Sequence, residues 1–385
     1  MRHFCCIGEQ SRWTVLSEQE TLVTKTDGRR DEVKPASVEW VDEECIKTLP
    51  TNAYGKIWFY PKELGYQKPA KYIRMTDDTG MGKVMELLVR YWNLYAYTGP
   101  PELVVSVVGG GKLFKISDPR MKESFTRGII RSVRTTRGWL LTSGLHCGVA
   151  RAVGDAVREG QTLEYYENGE VHRTIACIGI APWGAVRNRE ELVNSDPHSF
   201  EKVSYHVDPS VRHWQPVSLN PYHSHFLLID DGFRNTERGV AHFRACLERM
   251  IAAPKEEGGL SVPVVCLLVE GGINSIDQLL ESVGHGIPVL ICEGTGRVAD
   301  LLAESIRRFK QIDQLEDNDR KEAETMELQE YAEDKLAQLY ARVRKTRNGE
   351  YSEVAEKVIA LCRQHNMVFI ICSIPDRLRM VSSSF

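Results

Sequence analysis

Six short apolar runs recur along the middle of the chain, and each ends in a glycine-bearing turn. Leu103 to Val108 runs into Gly109-Gly110-Gly111, and Trp139 to Thr142 into Ser143-Gly144. Cys177 to Ala181 runs into Pro182-Trp183-Gly184, and Phe226 to Ile229 into Asp230-Asp231-Gly232. Val264 to Val269 runs into Glu270-Gly271-Gly272, and Pro288 to Cys292 into Glu293-Gly294-Thr295-Gly296-Arg297. Continuous apolar runs of this length suit strands buried on both faces. Helical periodicity separates several of them, at 121–134, 148–158, 240–252 and 276–284. Alternating strands and helices predict right-handed βαβ units and a Rossmann-like, mainly parallel α/β sheet with flanking helices.

The flanks read differently. Lys56 to Tyr60 and Tyr72 to Met75 are expected strands, and Lys83 to Tyr95 an expected helix through Val84, Leu87, Leu88 and Trp92. Residues 307–347 are charge-rich, with Leu328, Ala332, Leu336, Leu339 and Val343 at helical spacing, which predicts one long or two shorter amphipathic helices. Val354 to Cys362 is a further helix. Val368 to Cys372 is either an edge strand or a segment whose partner lies elsewhere. The expected division is an N-terminal extension and the start of the α/β unit over 1–100, a nucleotide-sensing domain over 101–305, and a smaller helical region over 306–385.

Composition narrows the function classes. The net charge of −4 over 385 residues gives no bulk attraction for nucleic acid. No run approaches the ~18 apolar residues that a membrane span needs, and the first residues lack the apolar core of a signal peptide. Several of the ten cysteines sit inside apolar runs, as reduced core cysteines do. His3, Cys5, Cys6 and Cys45 supply at most a fragment of a Zn2+ site, so no resident metal or cofactor is expected.

The candidate chemistry lies at the strand ends. Ligands of parallel sheets bind beyond the carboxyl ends of the strands. Glycine turns let the backbone approach a ligand, and helix N-termini offer N–H groups to an anion. Candidate ligand-binding residues are therefore Gly109, Gly110, Gly111, Ser143, Gly144, Asp231, Gly232, Gly271, Gly294, Thr295, Gly296 and Arg297, for a phosphate-bearing or nucleotide-like ligand. Arg297 can fork onto a phosphate. Arg187, Arg189, Arg238 and Arg244 are further cations beside the turns. Asp230-Asp231 could hold ribose hydroxyls, act as a general base, or cap the next element. His223 and His225 share one face of an extended segment without further ligands at metal spacing, and read as structural. GxSxG, HExxH and GxxxxGK[ST] patterns are all missing, which favours binding over catalysis.

The motifs together resemble the cytoplasmic N-terminal region of the melastatin-type transient receptor potential (TRPM) cation channels. The residues that carry the resemblance are LPTNAYG at Leu49 to Gly55, SVVGGG at Ser106 to Gly111, and SGLHCGVARAVGDAV at Ser143 to Val157. They continue with IGIAPWG at Ile178 to Gly184, HSHFLLIDDG at His223 to Gly232, VPVVCLLVEGG at Val262 to Gly272, and CEGTGRVAD at Cys292 to Asp300. The resemblance implies a Rossmann-like nucleotide-sensing region of a much larger, tetrameric, Ca2+-permeable channel, on the cytoplasmic side of a membrane. It implies other channel domains and subunits as partners. By the ADP-ribose-gated branch it implies ADP-ribose or a relative as ligand, held by the Gly109 to Gly111 loop, Arg244 and Arg297. Where that branch carries a tyrosine, Arg238 stands here, or Glu237 if the loop is shifted by one. The branch's upstream Cys/His cluster is represented only by His3, Cys5 and Cys6. Two other readings remain beside this one: an assembly module with a vestigial site, and a nucleotide-processing hydrolase using Asp231 or Glu270.

Overall fold

A computed structural model describes residues 51–61, 69–95, 99–112, 114, 119–167, 175–195, 201–211, 215–232, 238–340 and 350–372. The expected metal-site fragment His3, Cys5, Cys6 and Cys45 lies outside these residues.

The apolar runs form the centre of one ten-stranded sheet. Its strands are β1 (Tyr54–Tyr60), β2 (Ala70–Thr76), β3 (Val104–Gly109), β4 (Trp139–Thr142), β5 (Ala176–Pro182), β6 (Glu201–His206), β7 (His225–Asp230), β8 (Val264–Val269), β9 (Val289–Glu293) and β10 (Val368–Cys372). The order across the sheet is β10-β9-β8-β3-β4-β5-β7-β2-β1-β6. Every pairing is parallel except that of β1 with β2. The helices are α1 (Met81–Glu86, continuing as a π-helical turn over Leu87–Tyr91), α2 (Pro119–Thr135), α3 (Gly148–Glu167), α4 (Arg238–Ala252), α5 (Ile273–Gly284), α6 (Arg297–Asp313), α7 (Asn318–Tyr340) and α8 (Glu350–Arg363). The fold is thus the expected Rossmann-like α/β sheet with flanking helices and a helical region after it.

Alternate residues of one strand feed two different cores, which is why the runs are apolar throughout. In β3, Val105 and Val107 pack with Phe125 and Ile129 of α2 and Val153 of α3. Val104 and Val108 face the other way, into the core that holds Phe243 and Leu247 of α4, Leu279 of α5 and Leu302 of α6. From β3 the chain steps outward to β4 and β5 through helices on the first face. From β8 it steps the opposite way to β9 through α5, on the second face. The connections therefore diverge between β3 and β8, and leave a crevice at the carboxyl ends of those two strands.

The peripheral elements add detail the apolar pattern did not give. The charge-rich segment resolves into the end of α6 and the separate α7, broken at 314–317. β10 pairs with β9 at the sheet edge, so its partner lies within this chain. β6 was not anticipated. Val203 and Tyr205 point inward while Lys202, Ser204 and His206 face out, a single-sided pattern on a short edge strand.

One polar network is locked inside. Glu248 is fully buried, and Arg244 is 5% exposed. Arg244 Nε donates to Glu248 Oε1 at 3.2 Å and to Ser106 Oγ at 3.0 Å. Its Nη2 donates to the Val107 carbonyl at 3.0 Å and the Leu141 carbonyl at 3.2 Å. Those carbonyls lie where β3 and β4 stop pairing, after Ser106 and Leu141. The hydroxyls of Ser106 and Ser282 donate to the Glu248 carboxylate. Removing one partner of such a pair strands a buried charge, which costs about 3–5 kcal/mol. Glu248→Ala is accordingly expected to lower the urea-unfolding free energy by about that amount, whereas a loss below about 1 kcal/mol would show the network to be expendable.

Candidate functional site

The crevice is built where the β3 glycines meet the turn after β8. A Cβ on Gly109 would lie 2.1 Å from the Val269 carbonyl oxygen, so the two strand ends approach more closely than a side chain permits. A Cβ on Gly110 would fall 1.8 Å from Glu270 Oε2. Glu270 therefore lies directly against the bare backbone of the loop. Gly148, at the start of α3, has φ +60, and its Cβ would strike the Gly110 carbonyl at 2.1 Å. That packing lets Val149 N–H donate to the Gly110 carbonyl at 2.9 Å. Ser275, in the first turn of α5, accepts from Gly272 N–H at 3.0 Å. The loop is thus fixed by α3 on one side and by the β8 turn on the other.

The turn after β9 folds over the same place. Thr295 Oγ1 accepts from Glu270 N–H at 2.8 Å and donates to the Cys292 carbonyl at 2.6 Å. Ala299 N–H, in the first turn of α6, donates to the Glu270 carbonyl at 2.7 Å. Gly294 N–H donates to Asp300 Oδ1 at 2.6 Å. These bonds bring Arg297 across from Glu270, with Nη1 3.7 Å from Oε2. The Arg297 guanidinium carbon sits 5.0 Å from the centre of the Tyr340 ring, so α7 supports the cation from behind. Glu270 (φ 60) and Arg297 (φ 49) both occupy the left-handed backbone region. For non-glycine residues this costs on the order of 1–3 kcal/mol each.

The electrostatics are uneven. Glu270 Oε2 is buried and has no hydrogen-bond partner among the described residues. Burial raises the Glu270 pKa, and Arg297 only partly opposes it. A carboxyl held this way asks for a donor. Arg297 is 22% exposed at its side chain and presents its fork beside that acceptor. Together they offer neighbouring positions for a hydroxyl and for an anion.

The sequence candidates separate accordingly. Gly109, Gly110, Gly111, Gly271, Thr295, Gly296 and Arg297 line or fix the crevice. Gly294 belongs to the same turn, with its N–H taken by Asp300. Arg244 reaches the β3 end from below, but its Nε and Nη2 are engaged within the protein. Gly144 packs on Gly179 and Phe226, and its N–H is bonded to Thr142 Oγ1 at 2.8 Å. Ser143, beside it, is half-buried. Asp231 and Gly232 end β7, three strands from β3 and so about 14 Å away across the sheet. Asp230 caps its own turn by accepting from Gly232 N–H at 3.1 Å. Arg238 opens α4, but its side chain, like Glu237, lies outside the described residues. Arg187 is tied to Asp208 and to the Pro216 carbonyl, and Arg189 lies over the Trp183 ring. His223 and His225 are buried, and burial pushes both down to about 3.

Tyr340 was missed altogether, and Glu270 was weighed only as a catalytic carboxylate of a hydrolase. Tyr340 carries no local signal, since its partner lies 43 residues earlier in the chain. The Glu270 ionisation gives a direct check. Its folded pKa lies above the ordinary value of 4.5, so its contribution is complete below that value and is lost as pH rises through the folded pKa. As pH rises from 4.5 toward neutrality, wild-type stability should fall relative to that of Glu270→Gln, which cannot titrate. A stability difference that stays flat across that range in denaturant titrations would contradict the assignment.

The family described as SLOG in TRPM matches residues 70–345. The chain is 37% identical over 271 residues to the transient receptor potential cation channel subfamily M member-like 2 of Nematostella vectensis, covering 69% of this chain and 17% of that protein. It is 35% identical over 269 residues to subfamily M member 2 of Mus musculus, covering 69% and 17%. It is 38% identical over 281 residues to subfamily M member 7 of Homo sapiens, covering 71% and 14%. The chain thus matches under a fifth of the length of these relatives. The matched span runs from β2 to the end of α7 and so contains both strands of the crevice and the helix behind Arg297; the chain belongs to the SLOG-in-TRPM family.

Proposed function

We propose that this chain is the cytosolic regulatory part of a TRPM-type cation channel and that its crevice binds ADP-ribose or a closely related nucleotide. The observation that carries the reading is the pairing of Glu270 and Arg297 over a backbone stripped of side chains at Gly110. A diphosphate alone would meet a carboxyl where it wants a cation. A diphosphate joined to a sugar satisfies both: a ribose hydroxyl donates to Glu270 Oε2, and a phosphate accepts from Arg297. The relatives' names as cation channels support the channel part of the reading. Among the described residues no helix is long and apolar enough to cross a membrane. The pore and the partner subunits of a tetramer would then be contributed by other parts of the full protein.

In this reading the domain binds and does not turn over its ligand. Binding would act through differential affinity for two arrangements of the domain against its neighbours, because only such a difference shifts an equilibrium. Calorimetry with ADP-ribose should show one site, and Arg297→Ala should weaken it roughly 10- to 150-fold, the equivalent of the 1.5–3 kcal/mol typical of a charged hydrogen bond. Absence of heat at millimolar ligand would sink the ligand while leaving the family intact. Chromatography of the same mixtures should recover ADP-ribose unchanged; its hydrolysis, lost in Glu270→Gln, would favour the hydrolase reading instead.

A further inference from the structure

On the outer side of α4, away from the crevice, three side chains converge. His242 and Cys246 lie one helical turn apart, and His285 caps the C-terminal end of the neighbouring α5. Their donor atoms all lie within 4.8 Å of one another. Cys246 Sγ is 3.4 Å from His242 Nε2 and 3.7 Å from His285 Nε2. A tetrahedral Zn2+, with Zn–S near 2.3 Å and Zn–N near 2.0–2.1 Å, separates a sulfur and a nitrogen ligand by about 3.6 Å. The spacing is that of ligands around an ion.

The second layer is also in place. His242 Nδ1 lies 3.0 Å from Glu281 Oε2, and His285 Nδ1 lies 2.8 Å from the Glu281 carbonyl. A carbonyl can only accept, and so can an ionised carboxylate, so both Nδ1 atoms carry protons. In the neutral rings both Nε2 lone pairs then point at the same sulfur. The thiol has one proton to share between them. A cation at the centre would satisfy all three donors at once. Outer-sphere carboxylates and carbonyls that fix histidine tautomers are the usual support of metal ligands.

The geometry points to a Zn2+-binding site formed by His242 Nε2, Cys246 Sγ and His285 Nε2, with Glu281 as its positioning residue and solvent in the fourth coordination place. A nitrogen- and thiolate-containing tetrahedral set favours Zn2+ over Mg2+ or Ca2+, which take oxygen ligands. Burial and the Glu281 charge keep the Cys246 thiol protonated without metal. Binding forms the Zn–S bond and releases that proton to solvent. The ion would join the middle of α4 to the end of α5, two helices already linked by the Ser282–Glu248 and His242–Glu281 hydrogen bonds.

Co2+ is the spectroscopic probe. One equivalent added to the full chain under reducing conditions should give tetrahedral d–d bands with a sulfur-to-cobalt charge-transfer band, and Zn2+ should displace both. Cys246→Ser should remove the charge-transfer band, and His285→Ala should abolish one-to-one binding. Glu281→Gln should weaken Zn2+ by about 10- to 100-fold in competition with a chelating dye. Zn2+ should raise the melting temperature of the wild type but not of the variants, which circular dichroism confirms are folded. A charge-transfer band that survives Cys246→Ser would overturn the proposal. An octahedral spectrum, or stoichiometric binding that survives loss of both histidines, would overturn it equally.

Discussion

The approach of the β3 and β8 strand ends is the constraint on which the candidate site depends. Parallel strands sit about 4.8 Å apart along their length, and at these ends no room is left for a side chain on β3. Gly109 and Gly110 leave no atoms in the gap, and Glu270 fills it. From that contact the rest follows. The Gly110 carbonyl receives the first turn of α3, the Glu270 carbonyl receives the first turn of α6, and the Glu270 N–H fastens to Thr295. Two helices on opposite faces of the sheet are thus seated on adjacent loops. A side chain at either glycine would separate loop and turn, and would move both helix starts with them.

The same contact explains why a carboxylate can stand in a crevice read as an anion site. Buried charge is costly unless paired, and Arg297 at 3.7 Å offers Coulombic support without a hydrogen bond. The raised pKa of Glu270 is the consequence. The carboxyl then has two ways to be satisfied: it keeps its proton, or, ionised, it accepts a hydrogen bond from a ligand hydroxyl. The first lowers the repulsion toward a phosphate, and the second adds a directed bond. Either way the pair selects a ligand with both a hydroxyl and a negative charge over a bare anion.

The central strands were readable because they depend on runs of neighbouring residues, whereas the edge strand β6 was not. Six apolar runs with glycine ends suffice to place six strand ends on one rim, since parallel βαβ connections leave little alternative. Arg297 was legible for the same reason, as part of a turn. Arg244 shows the limit. Its sequence neighbourhood suggests a helix, but not that this position faces the strand ends from inside the core. Only the packing of α4 reveals that its donors meet the Val107 and Leu141 carbonyls. Tyr340 behind Arg297 and His285 beside Cys246 are likewise products of chain return over long separations. His242 and Cys246 fall four residues apart in the expected helix over 240–252, but a pair on a helix is not a cluster until a second element supplies the third ligand.

The two faces of α4 carry opposite chemistry, and this links the outer cluster to the crevice. Arg244 and Glu248 point inward and bind the ends of β3 and β4, while His242 and Cys246 point outward toward α5. Serine 282, on α5, reaches back to Glu248 from the inside. α5 itself is capped at its start by Gly272, immediately after the Glu270 turn, and at its end by His285. A rigid helix therefore has its first residue in the crevice and its last at the cluster. The same α4 is anchored by Arg244 to β3, one of the two strands that end at the crevice. The cluster and the crevice thus rest on one packed pair of helices.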